Sequence, residues 1–148
     1  MMRKLALLTL AAALGGCALF ESDDPESRNR EVVHDFARMF YQERDVRRAF
    51  EKHVAPDYIQ HNPGVADGRD AAIAALDPMF SNPGARFEVK RILVDGDFAV
   101  IHLFGKGDPA TRGAAVADIY RLKDGKIVEH WDVLQPMPET SVNPHPMF

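Results

Sequence analysis

Cysteine is nearly absent from this chain, since Cys17 is the only one among 148 residues. A single cysteine excludes an intrachain disulfide framework, a metal site built from several thiolates and a thiol nucleophile in the domain that follows it. Long apolar runs are scarce as well. The uncharged run at residues 5–14 has about ten residues, which is too short to cross a bilayer as a helix.

The start of the chain instead has the features of a cleaved signal peptide. Arg3 and Lys4 form a short basic region, the apolar run follows, and small residues precede Cys17. This segment resembles a bacterial lipoprotein signal, in which that cysteine is lipidated and becomes the new N-terminus. Ordinary secretion and a buried apolar helix are the alternatives.

We therefore expect a signal peptide over residues 1–16, a polar tether over residues 17–24 and one domain over residues 25–148. The lipid on Cys17 would anchor the protein to a membrane at the cell envelope of a bacterium. By the same resemblance, Ala18 rather than Asp after the cysteine favours the outer membrane.

Positive charge is also in short supply. Loss of Arg3 and Lys4 with the signal peptide would leave 16 of the 18 basic residues against 22 acidic ones, a net charge of about −6. Nucleic-acid binding depends on basic side chains that release counterions from phosphates. The composition therefore argues against a nucleic-acid partner.

Three helices are expected before the main run of strands. Asp24 is followed by proline and then by apolar residues at helical spacing, which is typical of an N-cap and an amphipathic helix. Asp45 can cap a second, shorter helix. Asp67 and the glycine after it introduce a third helix over residues 69–76, which Pro78 is expected to end.

The strands follow in two hairpins, and they give the fold class. From Arg86 the apolar residues alternate with period two, and a second run up to Phe104 carries His102. A lone histidine in such a run is more often a hydrogen-bonded sheet residue than a ligand. Helices followed by antiparallel strands predict an α+β fold, with a curved antiparallel sheet and the helices gathered on one face.

The second hairpin, over residues 116–135, places titratable groups inside apolar strands. Its turn is Asp124-Gly125, and the groups of interest are Asp118, His130 and Asp132. A two-residue primed turn would place Asp118 opposite Trp131. A type I turn with a bulge at the glycine would instead place Asp118 opposite His130.

We favour the bulged turn, because it places the two carboxylates, the imidazole and Tyr120 on one face among apolar residues. Ile119, Trp131 and Val133 then lie on the other face. Carboxylates and an imidazole in apolar surroundings are suited to acid–base chemistry. A structural hairpin whose polar groups face water, or pair only to hold the sheet, is the alternative.

Several motifs together resemble the SnoaL-like branch of the nuclear transport factor 2-like superfamily, which includes polyketide cyclases and ketosteroid isomerase. They are Tyr58-Ile-Gln-His-Asn-Pro63, Asp67-Gly68, Asp118-Ile-Tyr-Arg121 and Asp124-Gly-Lys-Ile-Val-Glu-His-Trp-Asp132. The resemblance covers nearly the whole of residues 25–148. It implies a conical fold in which the sheet and about three N-terminal helices enclose one pocket.

The resemblance also implies a reaction and a set of site residues. SnoaL-like cyclases use an acidic residue on the sheet, assisted by a histidine, without metal or organic cofactor. The matching candidates for catalysis are Asp118, with Asp132 as its rival, and His61 and His130 as partners. Candidate substrate contacts are Tyr58, Asn62, Tyr120, His102 and Trp131. Of these, Trp131 is also a candidate for packing or a dimer contact.

The expected chemistry is removal of a proton next to a carbonyl in a small apolar compound, followed by aldol condensation, cyclisation or isomerisation. The enolate would need a donor such as His61 or Tyr58. A metal site made of His61, His130, Asp118 and Asp132 is the less favoured alternative, because these residues lack ligand spacing on a helix. A non-catalytic site for a small hydrophobic ligand and a homodimeric interaction module, paired through the sheet face, are the other functions considered.

Overall fold

The computed structural model describes residues 24–148, so the expected signal peptide and Cys17 lie outside the described residues. The first helix, α1 (Pro25–Ala37), continues into a π-helical turn at Arg38–Gln42, and α2 (Val46–His53) and α3 (Arg69–Phe80) follow. The strands are β1 (Val54–Gln60), β2 (Arg86–Asp95), β3 (Phe98–Lys106), β4 (Ala114–Lys123) and β5 (Lys126–Pro136).

The helices begin where the sequence places their caps. Asp24 accepts a hydrogen bond from the Ser27 backbone N–H at 3.0 Å, and Asp45 does the same for Arg48 at 3.1 Å. These carboxylates satisfy N–H groups that the first turn of a helix leaves without partners. In the described part of the chain, no helix is long and apolar enough to cross a membrane.

The third helix is longer than expected, because it passes through Pro78 and ends at Phe80. Proline removes one helical hydrogen bond. The last turn is nevertheless retained by Phe80, whose ring stacks on Phe40 at 4.2 Å and on Phe87 at 3.9 Å between centroids. Burial of this ring between a helix and a strand offsets the missing bond.

The sheet is curved, and its strand order is β1-β5-β4-β3-β2. The four antiparallel strands are those expected from the sequence. The fifth strand, β1, was not expected, and it pairs in parallel with β5, so the sheet is mixed. The sequence analysis placed no strand between the second and third helices. Pro56 is accommodated because β1 is an edge strand.

The fold is α+β, with the three helices packed on one face of the sheet, as expected. Most of the core lies between them and consists of buried residues from every helix and from β1, β3, β4 and β5. The largest fully buried side chains include Tyr58, Phe36 and Phe50. We refer to the sheet face toward the helices as the inner face and to the opposite one as the outer face.

The turn between β4 and β5 differs from the favoured prediction. Asp124 and Gly125 both have positive φ, 52° and 73°, which is the two-residue primed turn, and Leu122 accordingly pairs with Ile127. A bulge follows inside β5, because Arg121 pairs with Glu129 and the intervening residue has no partner.

The bulge in β5 decides which residues share a face. Asp118 lies opposite Asp132, and Tyr120 lies opposite His130, so the expected pairing of Asp118 with His130 is wrong. The extra residue is in the strand rather than in the turn, but it has the same effect on which residues of β5 share a face with Asp118 and Tyr120. All four of these side chains therefore reach the inner face, as predicted, and they line one cavity.

Candidate functional site

A cavity of about 370 Å³ lies between the inner face of the sheet and the helices. Most of its wall is apolar and comes from Phe40, Phe50, Val65, Leu76, Met79, Phe80, Phe87, Leu103, Val116 and Leu134. Its polar groups come from Tyr41, Tyr58, Gln60, Asn62, Asp118, Tyr120, His130 and Asp132. A mostly apolar chamber with a few convergent polar groups is typical of a small-molecule site.

The end of β1 orients the first of these polar groups. The backbone N–H of Asn62 donates to Gln60 Oε1 at 3.0 Å. Because a backbone N–H can only donate, this contact establishes which end of the Gln60 amide is the oxygen. The amide nitrogen then donates to the Tyr58 hydroxyl oxygen at 3.3 Å.

The oriented amide in turn determines the protonation of His130. Gln60 Oε1 lies 2.8 Å from His130 Nδ1, so Nδ1 must carry a hydrogen. The other ring nitrogen, Nε2, lies 3.2 Å from Asp118 Oδ1. Two lone pairs would repel each other at this distance, so one proton lies between Nε2 and Oδ1. Asp118 and His130 therefore share one proton, and the pair as a whole carries no net charge.

Two tyrosines support the second oxygen of Asp118. Tyr41 donates to Asp118 Oδ2 at 2.5 Å. The hydroxyls of Tyr41 and Tyr120 lie 2.7 Å apart, and Tyr120 must be the donor because the Tyr41 proton is already used. Burial, and after it the charge of Asp118, raises the pKa of both tyrosines well above the usual value. Both hydroxyls therefore remain donors, and both oxygens of Asp118 are occupied.

Asp132 is held differently and keeps one oxygen available. The backbone N–H of Gly64 donates to Asn62 Oδ1 at 2.8 Å, which turns the Asn62 amide nitrogen toward Asp132 Oδ2, its acceptor. Within residues 24–148, the other oxygen, Asp132 Oδ1, accepts no hydrogen bond from a side chain or the backbone. Asp132 thus offers an unoccupied lone pair beside the cavity.

Tyr58 offers the complementary group, a free proton. Its hydroxyl oxygen accepts from Gln60, and its own O–H has no acceptor among the described residues. Burial, followed by the charge of Asp118, raises the pKa of Tyr58, so the hydroxyl stays protonated. The charge of Asp132 acts in the same direction, which indicates that this carboxylate is near the hydroxyl.

Three predicted site residues lie outside the cavity, on the outer face. The His61 ring stacks on Trp131 with centroids 4.5 Å apart, and its Nε2 lies 2.8 Å from Glu129. His61 therefore does not meet Asp118, contrary to our expectation. His102 alternates with inward-facing neighbours on β3 and contacts Arg91. Neither ring, nor that of Trp131, can contact a ligand in the cavity.

The outer face has its own ionic cluster, which the sequence analysis did not identify. Glu129 accepts from His61 and, at 2.7 Å, from Arg121 Nε. The hydrogen bond from His61, and then that from Arg121, lowers the pKa of Glu129. The cluster joins the loop after β1 to β4 and β5, so it positions the segment that carries Asn62.

The sequence analysis also did not assign roles to Tyr41 and Gln60. Gln60 lies within the Tyr58-Ile-Gln-His-Asn-Pro63 motif, but only the strand β1 explains why its side chain faces His130. Tyr41 lies in the π-helical turn, which adds a residue to the turn and brings Met39, Phe40 and Tyr41 all into the interior. An ideal helical period would not bury three consecutive residues on one face.

A metal ion is the remaining possibility for these groups. One ligand atom each from Asp118, His130 and Asp132 lies within 4.8 Å of the others. Carboxylate and imidazole donors suit several divalent ions. An ion at this place would have to displace the proton shared by Asp118 and His130, since that proton occupies the lone pairs that would bind it.

The fold of this chain is shared with solved structures of low sequence identity. An NTF2-like protein of unknown function from Mesorhizobium loti superposes with a TM-score of 0.66 at 23% identity, covering 76% of this chain and 95% of the other. A candidate polyketide cyclase from Acidithiobacillus ferrooxidans gives a TM-score of 0.59 at 19% identity, with 75% and 90% covered. A candidate SnoaL-like polyketide cyclase from Jannaschia sp. CCS1 gives 0.56 at 24% identity, with 74% and 87% covered.

No curated protein sequence matches the chain. The sequence model of the SnoaL-like domain matches residues 33–130, which run from α1 to the middle of β5 and contain every polar group of the cavity except Asp132. That match covers well over half of the sequence, and the cone-shaped α+β fold of the neighbours agrees with it. The chain therefore belongs to the SnoaL-like domain family.

Proposed function

We propose that this protein is an acid–base enzyme that forms an enolate from a small, uncharged carbonyl compound held in the cavity. Candidate polyketide cyclases among the structural neighbours support this reaction class. The observation that carries the proposal is the free oxygen of Asp132. It is a carboxylate lone pair that accepts from no donor in residues 24–148, in a chamber whose wall is mostly apolar.

Asp132 Oδ1 would accept the proton next to the carbonyl carbon. The electron pair of the broken C–H bond then moves into the enolate, whose oxygen accepts a hydrogen bond from Tyr58. Return of the proton from Asp132 to another carbon completes an isomerisation. Attack of the enolate carbon on a second carbonyl completes an aldol condensation or a cyclisation, and Asp132 then protonates the new alkoxide.

The geometry favours Asp132 over Asp118, the residue ranked first from the sequence. Both oxygens of Asp118 already have partners, Tyr41 and His130, whereas Asp132 Oδ1 has none among the described residues, so Asp132 is the more accessible acceptor for a substrate proton. The neutral Asp118–His130 pair instead supplies a positioned proton and a partial positive charge beside the base. Positioned proton acceptors contribute about 10²- to 10⁴-fold to such reactions, and a donor to the enolate oxygen contributes about 10²- to 10³-fold.

The test follows exchange of protons next to the carbonyl of small apolar ketones in D₂O by NMR, because this step requires no knowledge of the final product. The wild-type protein should accelerate exchange. Asp132→Asn should lower the rate about 100-fold or more, and Tyr58→Phe should lower it by a similar factor. His102→Gln, on the outer face and away from the cavity, is the control and should retain the rate.

Two results would count against the assignment. Full exchange in Asp132→Asn together with its loss in Asp118→Asn would return the role of base to Asp118. Absence of exchange with every ketone that binds would favour the second candidate, a non-catalytic site for a small hydrophobic ligand. The large apolar share of the wall supports that candidate, and it predicts nearly unchanged affinity in Asp132→Asn.

We also propose that two copies pair through the outer face and that Cys17 carries a lipid anchor at the cell envelope. Phe98 and Val133 expose 48% and 63% of their surface on the sheet, which supports pairing. Sedimentation of Val133→Lys against wild type tests the dimer. Metabolic labelling with a radioactive fatty acid, compared between wild type and Cys17→Ser, tests the anchor.

A further inference from the structure

The cavity has an unusual charge inventory. Among residues 24–148, no lysine or arginine lines it, whereas two aspartates do. The proton shared by Asp118 and His130 makes that pair neutral overall, so the net charge of the cavity is the single negative charge of Asp132. A bound carboxylate or phosphate would meet that charge in a poorly solvated space without a compensating cation.

The hydrogen-bond inventory is equally restrictive. The Gln60 amide oxygen accepts from Asn62 and His130, and its nitrogen donates to Tyr58. The amide of Asn62 is used by Gly64 and Asp132. Each amide nitrogen uses one of its two hydrogens in these contacts. Among the polar groups of the cavity within residues 24–148, the Tyr58 O–H and Asp132 Oδ1 are the donor and the acceptor atom that take part in no hydrogen bond.

We infer that the cavity selects an uncharged ligand whose head group accepts one hydrogen bond and donates one, such as a primary carboxamide or a hydroxyketone. The head group would accept from Tyr58 and donate to Asp132, while its apolar part would contact the aromatic and aliphatic wall. This inference rests on the proposed function in taking the cavity as the binding site, but it requires no chemical step.

Charged head groups fit the same two positions poorly. A carboxylate has no donor for Asp132 and is repelled by it. An alkylammonium has three donors and no acceptor, so it would leave the Tyr58 proton unpaired and meet a single free acceptor in an apolar chamber. An N,N-dialkylamide accepts from Tyr58 but cannot donate, and it would cover Asp132 Oδ1 without giving it a hydrogen bond.

The test is a matched series with one apolar group and four heads: 4-phenylbutanamide, its N,N-dimethyl derivative, 4-phenylbutanoate and 4-phenylbutylamine. Affinities are measured at pH 7 by calorimetry or ligand-observed NMR. The primary amide should bind about 5- to 10-fold more tightly than the dimethylamide, because one hydrogen bond is lost. The carboxylate should bind at least about 10-fold more weakly than the primary amide, and the amine should also bind more weakly.

Variants assign the selectivity to the two groups. In Asp132→Asn the charge is removed, so the preference for amide over carboxylate should fall severalfold toward equality. In Tyr58→Phe both amides should lose affinity by about the same factor, roughly 5-fold. His102→Gln lies on the outer face and should leave the order of the four ligands unchanged. Circular dichroism identifies any variant that fails to fold, and the wild-type series stands without the variants.

Several outcomes would overturn the inference. They are equal or tighter binding of the carboxylate, an amine that binds more tightly than the amide, binding of none of the four, or a preference that Asp132→Asn leaves intact. Failure of the proposed function is separable from these outcomes. Selective binding without proton exchange would refute the proposed enzyme and retain the inference. Proton exchange with unselective binding would support the proposed enzyme and refute the inference.

Discussion

Replacement of Gln60 by leucine should be costly, although the residue forms no part of the proposed proton transfer. Its amide oxygen accepts from two donors, the backbone N–H of Asn62 and the Nδ1–H of His130, and the His130 side chain is only 9% exposed. Leucine has a similar size but accepts from neither. A buried donor left without a partner costs about 1–3 kcal/mol.

For two such donors, one of them close to solvent, we expect Gln60→Leu to lower the free energy of unfolding by about 2–4 kcal/mol. Urea denaturation followed by tryptophan fluorescence measures this change, since Trp131 is the only tryptophan. Gln60→Glu is the informative partner variant, because it keeps an acceptor for both N–H groups. Its second carboxylate oxygen, however, would face the Tyr58 hydroxyl and accept the proton that a ligand needs.

The two variants should therefore separate stability from binding. Gln60→Leu should lose stability, and Gln60→Glu should lose affinity for the primary amide while losing less stability. Nitrogen-15 NMR of the histidine rings provides a direct check, because it should show a hydrogen on His130 Nδ1 in the wild type at neutral pH. A His130 ring with Nδ1 unprotonated, or a Gln60→Leu protein within 0.5 kcal/mol of the wild type, roughly the noise level of such measurements, would refute the reasoning.

Three further predictions concern other parts of the molecule. Tyr41→Phe should destabilise the fold by about 1.5–3 kcal/mol, since it removes a donor to the charged carboxylate of Asp118. Tyr120→Phe removes only a hydrogen bond between two hydroxyls and should cost about 1 kcal/mol. Thermal denaturation of both variants measures these losses. Burial lowers the pKa of His53 in the folded state below its unfolded value of 6.5. The free energy of unfolding should therefore fall as the pH drops below about 6.5 and through the folded-state pKa. His53→Gln should flatten that part of the plot of stability against pH. A Cβ at Gly107 would overlap the Met79 side chain, so Gly107→Ala should push Met79 aside and change ligand affinity more than thermal stability. Unchanged affinity for every ligand in the series would contradict this.

Much of the helical layer and four of the strands follow from local sequence, and the physical reasons are visible in the structure. Asp24 and Asp45 cap the helices they precede, and the apolar stripe of α1 is buried. These features depend on residues within one or two turns of each other. The inward placement of Asp118 and His130 was predicted, but from a bulge at the turn, whereas the extra residue lies inside β5.

Other features depend on distant contacts and could not be predicted in this way. The segment that contains Pro56 forms a strand only because β5 lies beside it, and proline is tolerated there because the strand is at the edge. The last turn of α3 persists after Pro78 because Phe80 is buried between two other rings. His61 was expected in the cavity, but the chain turns after Gln60 and stacks its ring on Trp131 instead.

The bulge in β5 has a consequence for how chain length and site geometry are related. Val128 is the residue without a partner, so β5 contains one residue more than β4 requires. A relative that lacks this residue could keep His130 opposite Tyr120 and Asp132 opposite Asp118. Deletion of His130 in a chain that keeps the rest of this pairing would instead bring the indole of Trp131 to the inner face and turn Asp132 outward. In related sequences, the position of an insertion or deletion in this hairpin therefore indicates whether the polar side chains of β5 face the cavity. Overall sequence identity does not give this information.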